Sequence, residues 1–454
     1  MSVRCLFVTA CVLAALAANA PSALACGPRS ESDPLTRVIG DIDGDDRADA
    51  VAGVPERDGG AGGISLRLTT GRGQMVPGGA PGDGLGAAVA VGDVDGDGCA
   101  DVVTGAPGLG GSGAVVVLRG SPAGVATSGT VLPGAAPGDR FGAAVVLEAR
   151  DDGPEDDLWI GAPGTDVAGR ADAGAIHHVV FAPGATPALA GVLTEGAPGI
   201  PDAAEAGDRF GEVLAAASDG VLVGVPHEDV GSRRDAGAVV RVASDSPRRF
   251  TLPHPRAGDR FGAAVGTGGI AGAPGRDLPG ARDAGVVQLL ESPGRIRLAQ
   301  GVRGLPGRFE RGDRFGAAVT GGRSFMCTET TSFAIGAPGE DLGGARDAGS
   351  VTLVEPMRFG CRPRALTRGH GLPRRPRPGD ELGAALGILR AQDEQEENAA
   401  DTLLVGAPGT GEVLERRSGI GVPGPRTFRF PGSDGLASVL ALPAFGDARI
   451  GNAR

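Results

Sequence analysis

A chain of 454 residues with a formal charge of −12 and not one lysine has no electrostatic footprint for nucleic acid or an anionic membrane surface. It also lacks the lysine that a Walker-type phosphate loop requires. Glycine (82) and proline (35) make up about a quarter of the sequence, a level typical of disorder unless a period organises it; aromatics are only 3%, so any core must be built from Val, Ala and Leu, with Phe at special places.

Residues 1–25 contain one early basic residue, Arg4, a short apolar run from Leu6 to Ala18, and a small-residue end at Ala23-Leu24-Ala25. That is the pattern of a secretory signal cleaved before Cys26, and the apolar run is too short to span a bilayer. The mature chain is expected to be exported, with residues 26–37 as a linker. A cysteine at the new N-terminus leaves a lipid anchor open, although Ala23 stands where a lipobox prefers a larger aliphatic residue. Ile450 to Arg454 carries no wall-sorting motif or membrane tail, so attachment would rest on Cys26 alone and free secretion is the simpler expectation. Cys5 and Cys11 leave with the signal. Of Cys26, Cys99, Cys327 and Cys361, the sequence favours Cys327 with Cys361 as a disulfide, both lying in one repeat unit.

Two acidic loops follow. In Asp41-Ile42-Asp43-Gly44-Asp45-Asp46-Arg47-Ala48-Asp49 and Asp93-Val94-Asp95-Gly96-Asp97-Gly98-Cys99-Ala100-Asp101, carboxylates fill positions 1, 3, 5 and 9. The second loop reads as the tip of a hairpin between strands Ala87 to Val91 and Val102 to Gly105. Four carboxylates in nine residues repel one another, so a folded hairpin calls for a hard cation with oxygen ligands, best calcium. The predicted ligands are Asp41, Asp43, Asp45, Asp49 and the carbonyl of Arg47 in one loop. In the other they are Asp93, Asp95, Asp97, Asp101 and the carbonyl of Cys99, whose thiol stays off the metal. The spacing matches the first half of an EF-hand loop, but no helical pattern flanks it and the Glu at position 12 is missing. Position 6 wants a left-handed backbone; Gly98 supplies it, and Asp46 is the residue type that tolerates it next best. A solvated acidic turn is the alternative.

The hairpin recurs. A Phe-Gly or Leu-Gly pair opens units at Leu85, Phe141, Phe210, Phe261, Phe315 and Leu382, about every 58 residues, and each is followed by Gly-Ala-Pro or Gly-Val-Pro, from Gly105 to Pro107 through Gly406 to Pro408. Gly53-Val54-Pro55 has no opening pair before it, while Gly435-Leu436-Ala437-Ser438-Val439-Leu440 has no Gly-Ala-Pro after it. Together they complete a seventh unit. Third strands are predicted to begin at Ala173, Ala236, Ala284 and Ala348, and no segment has a helical period. Seven four-stranded units sharing one blade between the termini form a ring without exposed edges.

These repeats resemble the FG-GAP repeat proteins, the group of the seven-bladed propeller of integrin α subunits and of many secreted bacterial proteins. The resemblance covers roughly Val38 to Leu442, leaving 443–454 as a tail. It implies an all-β, seven-bladed β-propeller with its first blade shared between the termini. It also implies calcium in hairpin loops between the first two strands of certain blades, on the face opposite the one that commonly meets ligands. Adhesion or protein recognition is the function it suggests, with no fixed partner.

The remaining units are poorer in acids. Asp157 aligns with position 9 of the third unit, but Ala149 and Gly153 fall at positions 1 and 5; the seventh offers Asp393, Gln395, Glu397 and Asp401 only with one insertion. Arg311-Gly312-Asp313 spells an integrin-recognition tripeptide, yet sister units read Pro137-Gly138-Asp139, Ala206-Gly207-Asp208 and Ala257-Gly258-Asp259, so a structural Gly-Asp is the plainer reading. Arg234-Asp235, Arg282-Asp283 and Arg346-Asp347 recur in equivalent loops, as a ring of charge that binds a partner or as solvated turns. Gly108 to Gly113 matches a dinucleotide pattern but joins two strands, which makes it a turn. His177, His178, His227, His254 and His370 are scattered, and no GxSxG or HExxH occurs. The sequence therefore favours a monomeric, calcium-binding interaction module over an enzyme, with an extracellular protein or glycan as partner and no nucleic acid. A polysaccharide hydrolase or lyase, or a lectin-like propeller, remains the alternative.

Overall fold

The computed structural model describes residues 26, 40–149, 156–182, 187–217, 220–243, 247–291, 296–302, 304–323, 331–355, 361–389, 401–416, 426–428, 439–440 and 442–443. They form seven small sheets, each with an antiparallel core of four strands. Blade 2 is representative: Ala88–Gly92, Asp101–Ala106, Ala114–Leu118 and Thr130–Pro133 pair in that order. Among the described residues helix is confined to single turns such as Arg57–Gly60 and Leu109–Gly111; the latter is the turn expected from the Gly108 to Gly113 pattern.

Blade 1 is shared between the termini. Ala50–Gly53, Gly63–Arg67 and Gly73–Pro77 come from the start of the chain, and Val439–Leu440 from its other end pairs antiparallel as Ala52 with Leu440 and Gly53 with Val439. Leu442–Pro443 then runs parallel to the inner strand of blade 2, with Leu442 opposite Ala90.

The core is distributed between blades. Each of seven apolar clusters draws on two neighbouring sheets: Val51, Ile64 and Leu66 meet Val89, Val91 and Val102, whereas Phe250 and Leu252 meet Val265 and Val286. A sheet of alternating Val and Ala presents an apolar face on both sides, so each blade is stable only between two others. Phe210, Phe261 and Phe315 of the opening pairs are fully buried in these layers, and truncating such a Phe costs about 3–5 kcal/mol.

The glycines of the repeat share one cause. A Cβ on Gly105 would lie 1.8 Å from the carbonyl oxygen of Gly142, on Gly161 1.9 Å from that of Gly211, and on Gly272 1.9 Å from that of Gly316. Gly53, Gly105, Gly161, Gly224, Gly272 and Gly336 thus each face the Gly of the next blade's opening pair, backbone against backbone. A second contact shortens the third strands, which start two residues after the predicted positions, at Ala175, Ala238, Val286 and Ser350. There Gly174 and Gly237 leave the ladder, with φ of 88° and 79°, to bridge in parallel to Phe210 and Phe261 of the next blade.

The Gly-Asp before each opening pair is also structural. Asp83, Asp139, Asp208, Asp259, Asp313 and Asp380 each accept the backbone N–H three residues earlier. Asp313 is 1% exposed, so its carboxylate is not available to a partner and Arg311-Gly312-Asp313 is a turn. Gly272→Ala is expected to lower the unfolding free energy by about 2 kcal/mol or more, whereas Gly191→Ala, with nothing within 4 Å of its Cβ position, stays within about 0.5 kcal/mol. Denaturant unfolding of the two variants measures the difference.

Candidate metal centres

In blade 1 the acidic loop closes around its first residue. Asp41 accepts the backbone N–H groups of Gly44 at 2.7 Å, Asp45 at 3.2 Å and Asp46 at 2.8 Å, which turns the chain so that Asp43 and Asp45 point back toward it. Asp46 adopts φ 60°, the left-handed conformation the position requires. Ligand oxygens of Asp41, Asp43 and Asp45 lie within 4.8 Å of one another, the separation that opposite ligands of a calcium ion have at about 2.4 Å each. Asp43 Oδ1 and Asp45 Oδ1 are buried without a hydrogen-bond partner, an arrangement costly for carboxylates unless a cation supplies the missing interaction. Asp49 plays a different part, because its oxygens accept Ile42 N–H and Thr69 N–H at 2.9 and 2.8 Å and so fasten the loop to the base of the hairpin. Thr69 and Thr70 hydroxyls reach Asp45 and Asp43.

Blade 2 repeats the plan with one change. Asp93 accepts Gly96 and Gly98 N–H, at 2.6 and 3.1 Å. Here Asp93, Asp95 and Asp101 come together, while Asp97 turns to accept Cys99 N–H at 2.8 Å. Arg119 Nη1 sits 3.1 Å from Asp95 and 3.0 Å from Asp101, so an internal cation already offsets part of the charge. Leu68 occupies the matching place after the third strand of blade 1, where Arg72 acts on Asp43 instead. The two loops are thus unequal, and the one that departs from the glycine pattern presents the orphaned oxygens. Burial, the dominant cause, raises both Asp49 and Asp101 to about 7.

The two loops are joined. Ala100 N–H donates to the Asp41 carbonyl at 2.6 Å, and Cys99 is disulfide-bonded to Cys26 with their Cα atoms 5.2 Å apart. Cys26 packs on Gly44, in the loop of blade 1. The sequence did not pair Cys99 with Cys26, and the bond corrects the expectation that Cys26 could carry a lipid: a sulfur held in a disulfide cannot form a thioether. Cys361 is disulfide-bonded as expected, and Cys327, named as its partner, lies outside the described residues. By loop entropy, closing the 73-residue separation stabilises by about 4 kcal/mol.

In blade 3, Asp156 N–H donates to the Asp93 carbonyl and its Oδ2 accepts Asp93 N–H, a cross-blade clamp that single-unit alignment could not reveal. Asp157, at position 9 of that unit, is 2.9 Å from Nε2 of His178, which stacks on Trp159, and His177 packs edge-on against Phe141. Both histidines of this strand thus lie against aromatic rings. Asp393, Gln395 and Glu397 lie outside the described residues, and Asp401 is buried.

A family model described as FG-GAP repeat matches residues 85–118, the blade 2 hairpin and its third strand. The matched repeat and the ring of seven blades fit an FG-GAP propeller. No curated protein matches the chain. Among solved structures it is similar to a virginiamycin B lyase from Staphylococcus aureus, at 10% identity over 81% of this chain and 94% of that one, with a TM-score of 0.43. It is similar to a protein from Lactobacillus plantarum at 11% identity over 87% and 98%, with a TM-score of 0.40. An Aleuria aurantia lectin mutant in complex with alpha-methyl-L-fucoside is similar at 8% identity over 88% and 97%, with a TM-score of 0.29.

Two outcomes follow from the loops. Arg119→Leu, which copies blade 1, should tighten calcium binding at the blade 2 loop several-fold, read by calorimetric titration. In metal-free buffer Asp49 and Asp101 hold protons in the folded chain up to pH about 7, whereas the unfolded chain has released them above 3.8. The folded state binds more protons across that window, so metal-free stability should fall as pH rises through it. Thermal midpoints of metal-stripped protein between pH 5 and pH 8 check the slope, which saturating calcium should flatten.

Proposed function

We propose that the chain is an exported, calcium-stabilised β-propeller that serves as a binding module. The observation that carries the reading is the pair of orphaned, buried carboxylate oxygens on Asp43 and Asp45 beside Asp41, inside the repeat class whose loops the sequence assigned to calcium. The Cys26–Cys99 disulfide supports an oxidising compartment, and among the described residues no helix is long and apolar enough to cross a membrane. Calcium holds Asp41, Asp43 and Asp45 of one loop and Asp93, Asp95 and Asp101 of the next, with Asp49, Asp97 and the carbonyls of Arg47 and Cys99 shaping the two loops around them. Its role is structural: it neutralises hairpin tips that fray without it.

Recognition falls to the opposite rim, where the turns between second and third strands meet the turns that open the next blade. Arg260 N–H donates to the Asp235 carbonyl and Arg314 N–H to that of Asp283, so Arg234 with Arg260, and Arg282 with Arg314, share the rim in successive blades. All four arginines are exposed. Such a border suits an anionic partner, an acidic protein surface or an acidic glycan.

Thermal unfolding tests the metal reading. Millimolar calcium should raise the midpoint by several degrees, and Asp43→Ala with Asp95→Ala together should abolish the rise; an unchanged response in the double variant sinks it. Incubation with polysaccharides separates the roles: turnover assigns a hydrolase or lyase, saturable binding of neutral sugar without turnover a lectin, and capture by anionic ligands alone the module proposed.

A further inference from the structure

A third acidic group lies on the arginine rim, away from both hairpins. Glu195 follows the outer strand of blade 3, Asp208 stands in the turn opening blade 4, and Glu228 follows the second strand of that blade; each is 2% exposed. One carboxylate oxygen from each lies within 4.8 Å of the others. Neither oxygen of Glu195 has a hydrogen-bond partner, nor has Oε2 of Glu228. Arg249 Nη2 is 2.5 Å from the other Glu228 oxygen, but it also serves Asp202 at 2.7 Å, which leaves four carboxylates to one guanidinium.

Sister blades show what the position demands. In blade 5, Arg276 takes the place of Glu228 and pairs with Asp259 at 2.5 Å. At the junction of blades 5 and 6, Gln300 takes the place of Glu195 and donates from Nε2 to Glu340. At the junction of blades 6 and 7, Arg368 takes the place of Glu195, 2.9 Å from Asp380 and 3.0 Å from Glu412. Every one of these junctions places a donor from the protein between its buried acids. The junction of blades 3 and 4 has a third carboxylate there instead.

We propose that Glu195, Asp208 and Glu228 form a separate divalent-cation site that clasps blade 3 to blade 4, taking a hard ion such as calcium in the place filled by Arg368 where blade 6 meets blade 7. Three oxygen donors at this mutual distance fit calcium or manganese and exclude soft metals, which seek sulfur or imidazole. Burial foremost, and then the neighbouring acids, lift Glu195 to about 9 and Glu228 to about 8; the bound ion displaces those protons. The site goes beyond the hairpins and does not depend on them.

The test uses the mature chain with the hairpins silenced by Asp43→Ala and Asp95→Ala. Calcium should still raise its thermal midpoint, by less than in the unaltered chain, and equilibrium dialysis should retain one equivalent; adding Glu195→Gln should remove both. Glu195→Gln copies Gln300, keeps the side-chain shape and removes the charge. In the otherwise unaltered chain it should lower bound calcium by one equivalent, which covers the case that the silenced protein does not fold. Glu195→Arg, copying Arg368, should raise the calcium-free midpoint while abolishing the same equivalent. Calcium binding indifferent to Glu195→Gln in either background overturns the proposal. A hairpin response lost with this site retained would instead count against the hairpin reading alone.

Discussion

The fold depends on bringing two peptide backbones into contact at every described junction between successive blades. A methyl group at Gly105, Gly161, Gly272 or Gly336 would stand 1.8 to 2.0 Å from the facing carbonyl oxygen, a distance no side chain survives. Glycine on both partners lets sheets of Val and Ala approach closely enough to share a dry layer, and aromatic content can then stay low because the layers are thin. The buried Phe or Leu of each described opening pair locks the register of the blade that follows.

This constraint explains why so much was legible in the sequence. Gly-Ala-Pro and Phe-Gly recur because backbone contact permits no other residue, so blade count, blade order and the closure by Val439 and Leu440 could be read from spacing alone. The acidic loops were equally open to reading, since their chemistry is packed into nine residues. What stayed hidden arises between units. Arg119 lies outside the nine-residue pattern, and its effect appears only when the third strand folds back beside the loop. Cys26 meets Cys99 because blades 1 and 2 place their loop tips side by side, a proximity that distance along the chain does not encode. Glu195, Asp208 and Glu228 belong to two different units, and each alone looks like an ordinary turn acid.

Charge is handled differently at the two ends of the strands. The loops that join first and second strands gather carboxylates in blades 1 and 2, share hydrogen bonds from Ala100 to Asp41 and from Asp156 to Asp93, and are stapled by a disulfide. The other end uses one junction plan repeatedly and varies two side chains, so Arg276 in the place of Glu228, and Gln300 or Arg368 in the place of Glu195, are alternative answers to the same desolvation problem. Duplication supplies the scaffold, and substitution at these two positions decides how the buried acids of a junction are offset.

The cluster where blade 7 meets blade 1 differs from the others. Among the described residues it consists of Ala50, Ala52, Ala385, Leu404 and Val413, with Leu389 beside it, and has no aromatic member. The strand pair Val439–Leu440 and Leu442–Pro443 lies across blades 1 and 2 like a strap over a buckle. Those few paired residues, distant in sequence from the blades they join, tie the two ends of the chain to the same pair of sheets.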